Sequence, residues 1–138
     1  MNVLIDTNII LDDLLNREPR RKQACQIMDL VNDKKIFGYI TANTLTDIYY
    51  VVERKANEDI ARKSIRKILN TLSVISVDAD DCTRAIDSLM KDFEDALVAV
   101  CAEKAALDFI ITNDKDFLGE INLPVSSISS DDFLLRVE

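Results

Sequence analysis

The 138-residue chain carries 17 Lys+Arg against 25 Asp+Glu, a net charge of −8, and 48% of its residues are hydrophobic. That size suits one domain, 1–138, able to fold without a disulfide or metal, and with only two Gly and two Pro it does not read as an all-β sandwich. Histidine is absent, which removes Ser-His-Asp triads, imidazole bases and His-Cys zinc sites, and leaves carboxylates, lysines and hydroxyls for any chemistry.

Val3, Leu4 and Ile5 form a short apolar run suited to a strand buried on both faces. It stops at Asp6; Thr7 and Asn8 follow as helix caps, and a helix is expected over 8–16. A second helix is expected over 20–34, with Ala24, Ile27, Met28 and Val31 on one stripe. Phe37, Tyr39 and Ile40 predict a second strand, and Thr41 to Lys55 a helix with Leu45, Ile48, Tyr49 and Val52 inward. A helix from Glu58 to Leu72 precedes a third strand over Val74 to Val77. Asp78 caps a helix to about Met90, and another runs from Phe93 to Ala105. Phe109 to Ile111 predict a fourth strand, Val125 centres a weak fifth, and Asp131 to Val137 close the chain as a helix.

Strands alternating with helices predict a three-layer α/β/α fold on a mostly parallel sheet of four to five strands. No apolar run approaches the ~20 residues of a membrane span, and the N-terminus has no signal-peptide pattern. Three scattered cysteines, Cys25, Cys82 and Cys101, point to a reducing, cytoplasmic setting.

Acids fall where this topology collects them. Asp6 ends the first strand, Asp47 lies two turns into the helix after the second, and Asp114 follows the fourth strand by two residues, with Asp116 behind it. In parallel strands these ends share one edge, where open α/β sheets bind ligands. Asp92, Glu94 and Asp95 begin a helix; Asp92 and Asp95 stand three apart, the spacing of a capping box, and Asp92 reads more readily as a cap than as a ligand. Asp95 borders an apolar helix face, where an unpartnered acid is costly. Asp114 and Asp116 also suit plain turn residues, and Asp78, Asp80, Asp81, Asp131 and Asp132 suit caps and solvated helix starts. Asp6 is hardest to explain structurally, because a lone charge ending a buried strand costs several kcal/mol. Gathered carboxylates repel one another unless a cation intervenes; Mg²⁺ or Mn²⁺ takes oxygen ligands and activates water beside a phosphate.

Charge is unevenly spread. Residues 1–67 hold 12 Lys+Arg against 10 Asp+Glu, and residues 68–138 hold 5 against 15. The cations of the first half come in groups: Arg17, Arg20, Arg21 and Lys22, then Lys34–Lys35, Arg54–Lys55, Arg62–Lys63 and Arg66–Lys67. They read as solvated helix faces or as a basic rim that lets an acidic pocket receive a polyanion.

Four segments in order, Val-Leu-Ile-Asp-Thr-Asn at 3–8, an acid in the helix after the second strand, Asp-Phe-Glu-Asp-Ala-Leu at 92–97 and Ile-Thr-Asn-Asp-Lys-Asp-Phe at 111–117, resemble a PIN domain. The likeness is greatest to the small prokaryotic VapC-type toxins and covers essentially the whole chain. It implies Mg²⁺- or Mn²⁺-dependent cleavage of RNA by a metal-activated water. Asp6, Asp47, Asp95 and Asp114 match the catalytic acids. Asp6, Asp95, Asp114 and Asp116 would be the ligands, with Thr7, Asn8, Asp92 and Thr112 in support. Asp47 stands where the family usually has Glu; being one methylene shorter, it leaves open a weak or inactive module that only binds RNA or protein. The likeness also implies a homodimer and a small antitoxin as partners, and Tyr49, Tyr50 and Val51 would suit such a surface as well as they suit a core. A phosphohydrolase fits less well, since Asn8 stands where its second Asp belongs. A receiver domain fits poorly too, with Asp78 and Lys115 ill placed for its phosphoacceptor and lysine.

Overall fold

The computed structural model describes residues 1–137. Its elements in order are β1 (Asn2–Ile5), α1 (Thr7–Leu14), α2 (Arg21–Asn32), β2 (Phe37–Thr41), α3 (Ala42–Lys55), α4 (Glu58–Thr71), β3 (Ser73–Ile75), α5 (Ala79–Asp87), α6 (Phe93–Lys104), β4 (Phe109–Ile111), α7 (Lys115–Leu118), β5 (Ser127–Ile128) and α8 (Ser130–Arg136).

All five strands are parallel, in the order β3-β2-β1-β4-β5. The chain winds outward from β1 through β2 to β3, then returns to the other side of β1 for β4 and β5. The winding direction therefore reverses between β1 and β4, and such a switch point opens a crevice at the carboxyl ends of the two strands. β1 is the central strand, which explains its unbroken apolar run: Val3, Leu4 and Ile5 are all at most 2% exposed.

Alternation along the strands feeds two cores. Val3, Ile5, Ile40 and Ile111 pack with α1, α2, α3, α4 and Phe133 of α8 on one face. Leu4, Ile75 and Ile110 pack with α6, Phe117 of α7 and Val125 on the other. The α/β/α layering expected from the alternation of elements is thus present. Ala24, Ile27, Met28 and Val31 form the predicted buried stripe of α2.

Several boundaries differ from expectation, each for a local reason. Asp6 itself caps α1: its Oδ1 accepts from Thr7 N at 2.8 Å, so Thr7 is the first helical residue and not a cap. α5 stops at Asp87, short of Met90, because Ser88 turns extended and its Oγ accepts from Met90 N at 3.3 Å. The fifth strand lies at Ser127–Ile128; Val125 is buried, but it follows Pro124, which lacks the N–H a ladder requires. The turn expected after Asp114 is a short helix, α7, capped by the Asp114 carboxylate, which accepts from Asp116 N at 2.9 Å. Asp78 caps α5 as expected, in a full capping box with Asp81. Asp81 is no solvated helix start, however: it is 1% exposed and accepts from Lys104 Nζ at 2.5 Å.

Candidate active site

The switch point is where the acids meet. Asp6 directly follows β1, and its backbone N–H donates to Ile111 O at 3.0 Å, extending the β1–β4 ladder by one bond. This fixes the main chain and aims the side chain into the crevice between the two strand ends. Thr112, fully buried just beyond β4, donates its hydroxyl to Asp6 Oδ2 at 2.7 Å. The same Oγ accepts from Asp114 N at 3.1 Å. One threonine hydroxyl thus ties the acid after β1 to the acid after β4.

The crevice is a cleft of about 540 Å³. Asp6, Asp47, Asp92, Glu94, Asp95 and Asp114 line it, six carboxylates from four segments of chain. Thr7, Asn8, Tyr50, Val51 and Arg54 complete much of its wall. Asp47, Tyr50, Val51 and Arg54 recur at helical spacing, so one stripe of α3 faces the cleft. Asn8 is held from behind: Arg17, paired with Asp12 at 2.9 Å, also donates to Asn8 O at 3.2 Å and Oδ1 at 3.3 Å.

At the start of α6 the expected capping box is only half made. Asp92 Oδ1 accepts from Asp95 N at 2.9 Å, but the reciprocal bond is absent, which leaves the Asp95 carboxylate for the cleft.

Proton affinities record the crowding. The Asp95 carboxyl is pushed up to about 7, first by burial and then by the charges of Asp92, Asp6, Asp114 and Glu94. Burial raises Asp6 as well; the bonds from Thr112 and Thr7 restrain the rise, and Asp114 adds to it. Glu94 is raised by burial and then by Asp47 and Asp92. These are the perturbations expected of converging carboxylates without a cation.

The donors are all hard oxygens, with no cysteine in the wall, which suits Mg²⁺ or Mn²⁺ rather than a thiolate-binding metal. Among the described residues, no three acids close into a ready-made ligand cluster. An open cleft still fits these ions, which bind through one or two carboxylates, several waters and a substrate phosphate.

Of the residues singled out in the sequence, Asp6, Asp47, Asp92, Asp95, Asp114, Thr7 and Asn8 share the cleft, and Thr112 lies beneath it. Asp116 is not among them; it lines the adjoining cavity, beyond the first residue of α7. The sequence marks Glu94 only as one more helix-start acid. Its partner across the cleft is Asp47, a residue of a different helix, and no spacing along the chain signals that. Of the paired cations, Arg54 alone reaches the cleft. Lys34 and Lys35 precede β2 and so sit at the opposite, amino edge of the sheet, while Arg62 is paired with Glu58 at 3.1 Å. Tyr49 and Val51 are half-buried against the first core and only Tyr50 is well exposed, so these three do not form one free surface.

The PIN domain family model matches residues 2–116, from the first strand through the last of the paired acids. The chain belongs to the PIN domain family. This PIN domain is 29% identical over 120 residues to ribonuclease VapC1 of Aquifex aeolicus, a match covering 83% of each chain. Its fold is similar to the structure of Mycobacterium tuberculosis VapC20, a sarcin–ricin-loop-cleaving toxin, with TM-score 0.71 and 18% identity over 90% of this chain and 98% of that one. It is also similar to VapBC2 from Rickettsia felis bound to a promoter DNA fragment, with TM-score 0.70 and 18% identity over 94% and 98% of the two chains. A third similar structure is a toxin–antitoxin complex from Klebsiella pneumoniae, with TM-score 0.65 and 24% identity over 93% and 97%. Family membership disposes of the phosphohydrolase and receiver readings. No helix among the described residues is long and apolar enough to cross a membrane.

Proposed function

We propose that this PIN domain is a Mg²⁺- or Mn²⁺-dependent endoribonuclease and the toxin of a toxin–antitoxin pair. The observation that carries the reading is the six-carboxylate cleft at the β1–β4 switch point, in a chain similar to a VapC ribonuclease. Of Asp6, Asp95 and Asp114, one or two would hold the ion directly and the rest through its waters; when bound, the ion would supply an acidified water and neutralise charge on the phosphate.

The chain's own groups do the rest. Thr112 holds Asp6 and Asp114 in register. Asp95, raised to about 7, would give up its proton as the cation arrives, so loading is favoured as pH rises. Glu94 and Asp47 form a second pair of acids in the cleft; burial first and Asp47 second raise the proton affinity of Glu94, which makes it the candidate general acid for the departing oxygen. Glu94 also offers a longer carboxylate beside the short Asp47. Arg54 supplies positive charge at the rim, where the RNA phosphate must enter an otherwise repulsive cleft. An antitoxin and a second copy of the chain are the proposed partners; the toxin–antitoxin assemblies among similar folds support the first.

The test is cleavage of structured RNA with Mn²⁺ by the wild type and by Asp6→Asn. Cleavage by the wild type alone supports the reading. Equal cleavage by both marks a contaminant, and no cleavage by either, with no Mn²⁺-linked rise in melting temperature, leaves a binding module instead.

A further inference from the structure

A second cavity, of about 780 Å³, shares Asp92 and Asp95 with the acidic cleft as a common wall. Its floor is the buried Phe117. Leu89 and Ile121, on separate loops, line it while 81% and 91% exposed, and Lys91 and Lys115 line it beside them.

The lysines stand out against the charge of this half of the chain. Residues 68–138 contain five cations: Arg84, Lys91, Lys104, Lys115 and Arg136. Arg84 is taken by Glu103 at 2.6 Å and Lys104 by Asp81 at 2.5 Å. Arg136 lies 4.9 Å from the centre of the Phe109 ring. Neither Lys91 nor Lys115 has an ion-pair partner among the described residues. The two uncommitted cations of a strongly acidic half therefore line a cavity that adjoins the acids. Glu120, also in its wall, is turned onto Asn122, accepting its backbone and side-chain N–H groups at 3.0 Å.

We propose that this cavity is the subsite for the RNA nucleotide next to the scissile phosphate, with Lys91 and Lys115 on that nucleotide's phosphate and Leu89 and Ile121 against its base. The inference rests on the ribonuclease reading, which makes the shared wall the point where the strand crosses from one chamber to the other. The size is that of ordinary ligand sites, about 300–1,000 Å³. The chemistry matches a nucleotide at both ends: an anion for the two ammonium groups and a flat, largely apolar ring face for the two aliphatic side chains. Aliphatic contact selects no base edge, so the subsite would tolerate any base.

The test is binding of a fluorescein-labelled single-stranded RNA octamer to full-length Asp6→Asn protein, followed by anisotropy across a salt series, so that turnover plays no part. Removing the two cations that neutralise this one phosphate should lower the slope of log affinity against log salt by about 0.7 on a single strand. Lys91→Gln/Lys115→Gln in that background should show this loss, with affinity down about tenfold at low salt. Lys34→Gln/Lys35→Gln, the same charge change at the opposite sheet edge, should leave the slope unchanged. Equal slopes for the two double variants overturn the subsite; if the wild type still cleaves RNA, the nuclease reading survives that result. A slope loss at Lys91 and Lys115 in a protein whose wild type never cleaves keeps the RNA contact and overturns the nuclease reading. Leu89→Asp/Ile121→Asp serves as the second arm. A change in oligomeric state by light scattering with RNA affinity intact makes the cavity a protein contact and overturns the proposal.

Discussion

Replacing Asp95 by Asn should stabilise the ion-free protein, and only at a pH where Asp95 must ionise. Burial and four neighbouring acids push its carboxyl from the ordinary 3.8 up to about 7. The folded state then binds a proton that the unfolded chain has already released between those values, so stability falls as pH rises through that window and is flat above it. At about 1.36 kcal/mol per tenfold change in proton affinity, the full penalty would be roughly 4 kcal/mol. The carboxylate borders an open cleft, and solvent screening reduces this to about 1–2 kcal/mol. Urea unfolding in EDTA should therefore show Asp95→Asn more stable than wild type by that amount at pH 8, and about equal to it at pH 4. Added Mn²⁺ should reverse the order at pH 8, because the ion stabilises only the protein that keeps its ligand. A variant that is less stable at pH 8 in EDTA, or equally stabilised at both pH values, refutes the claim that these acids repel one another in the folded cleft.

Three further outcomes follow from the same geometry. Thr112→Val deletes the hydroxyl shared by Asp6 and Asp114; it should cost about 1–3 kcal/mol in urea unfolding and weaken Mn²⁺ binding by roughly 10-fold or more in calorimetric titration. Lys104→Met strands the buried Asp81 carboxylate, which Lys104 first and its backbone bond second hold below the usual range. The wild type's contribution from this pair is present above the ordinary carboxylate range and lost in more acidic solution, so scanning fluorimetry should show a lowered melting temperature at neutral pH and a shrinking deficit below about pH 4. Phe117→Ala should cost about 3–5 kcal/mol, since a ring 1% exposed at the base of α7 leaves a void. It should also depress RNA cleavage at temperatures where the variant remains folded, because α7 positions Asp114 and Lys115.

The sequence made the centre of the site plain and its margins obscure. Asp6 was legible because a charge ending a three-residue apolar strand has no ordinary structural reason, and parallel strands put Asp114 on the same edge. Glu94 and Arg54 were not, because their roles depend on which stripe of α3 and which turn of α6 face the cleft. Lys91 has no motif around it, and Lys115 enters only as an ill-placed receiver lysine; the significance of both lies in what their three fellow cations are doing, which only coordinates reveal. Short elements failed for another reason. α7 has 4 residues and β5 has 2, too few for any periodicity to register, and they are decided by a single cap and by two ladder bonds respectively.

The acids of the cleft come from β1, α3, α6 and α7, and α3 and α6 pack into separate cores on opposite sides of the sheet. No fragment of this polypeptide can carry the six-acid cleft. Loosening either layer disperses the charges, so the proposed activity would require both layers to be docked, and a bound cation would rivet the two layers into one cooperative body. If the proposed toxin role holds, a nascent or partly unravelled copy would be harmless to the cell that makes it.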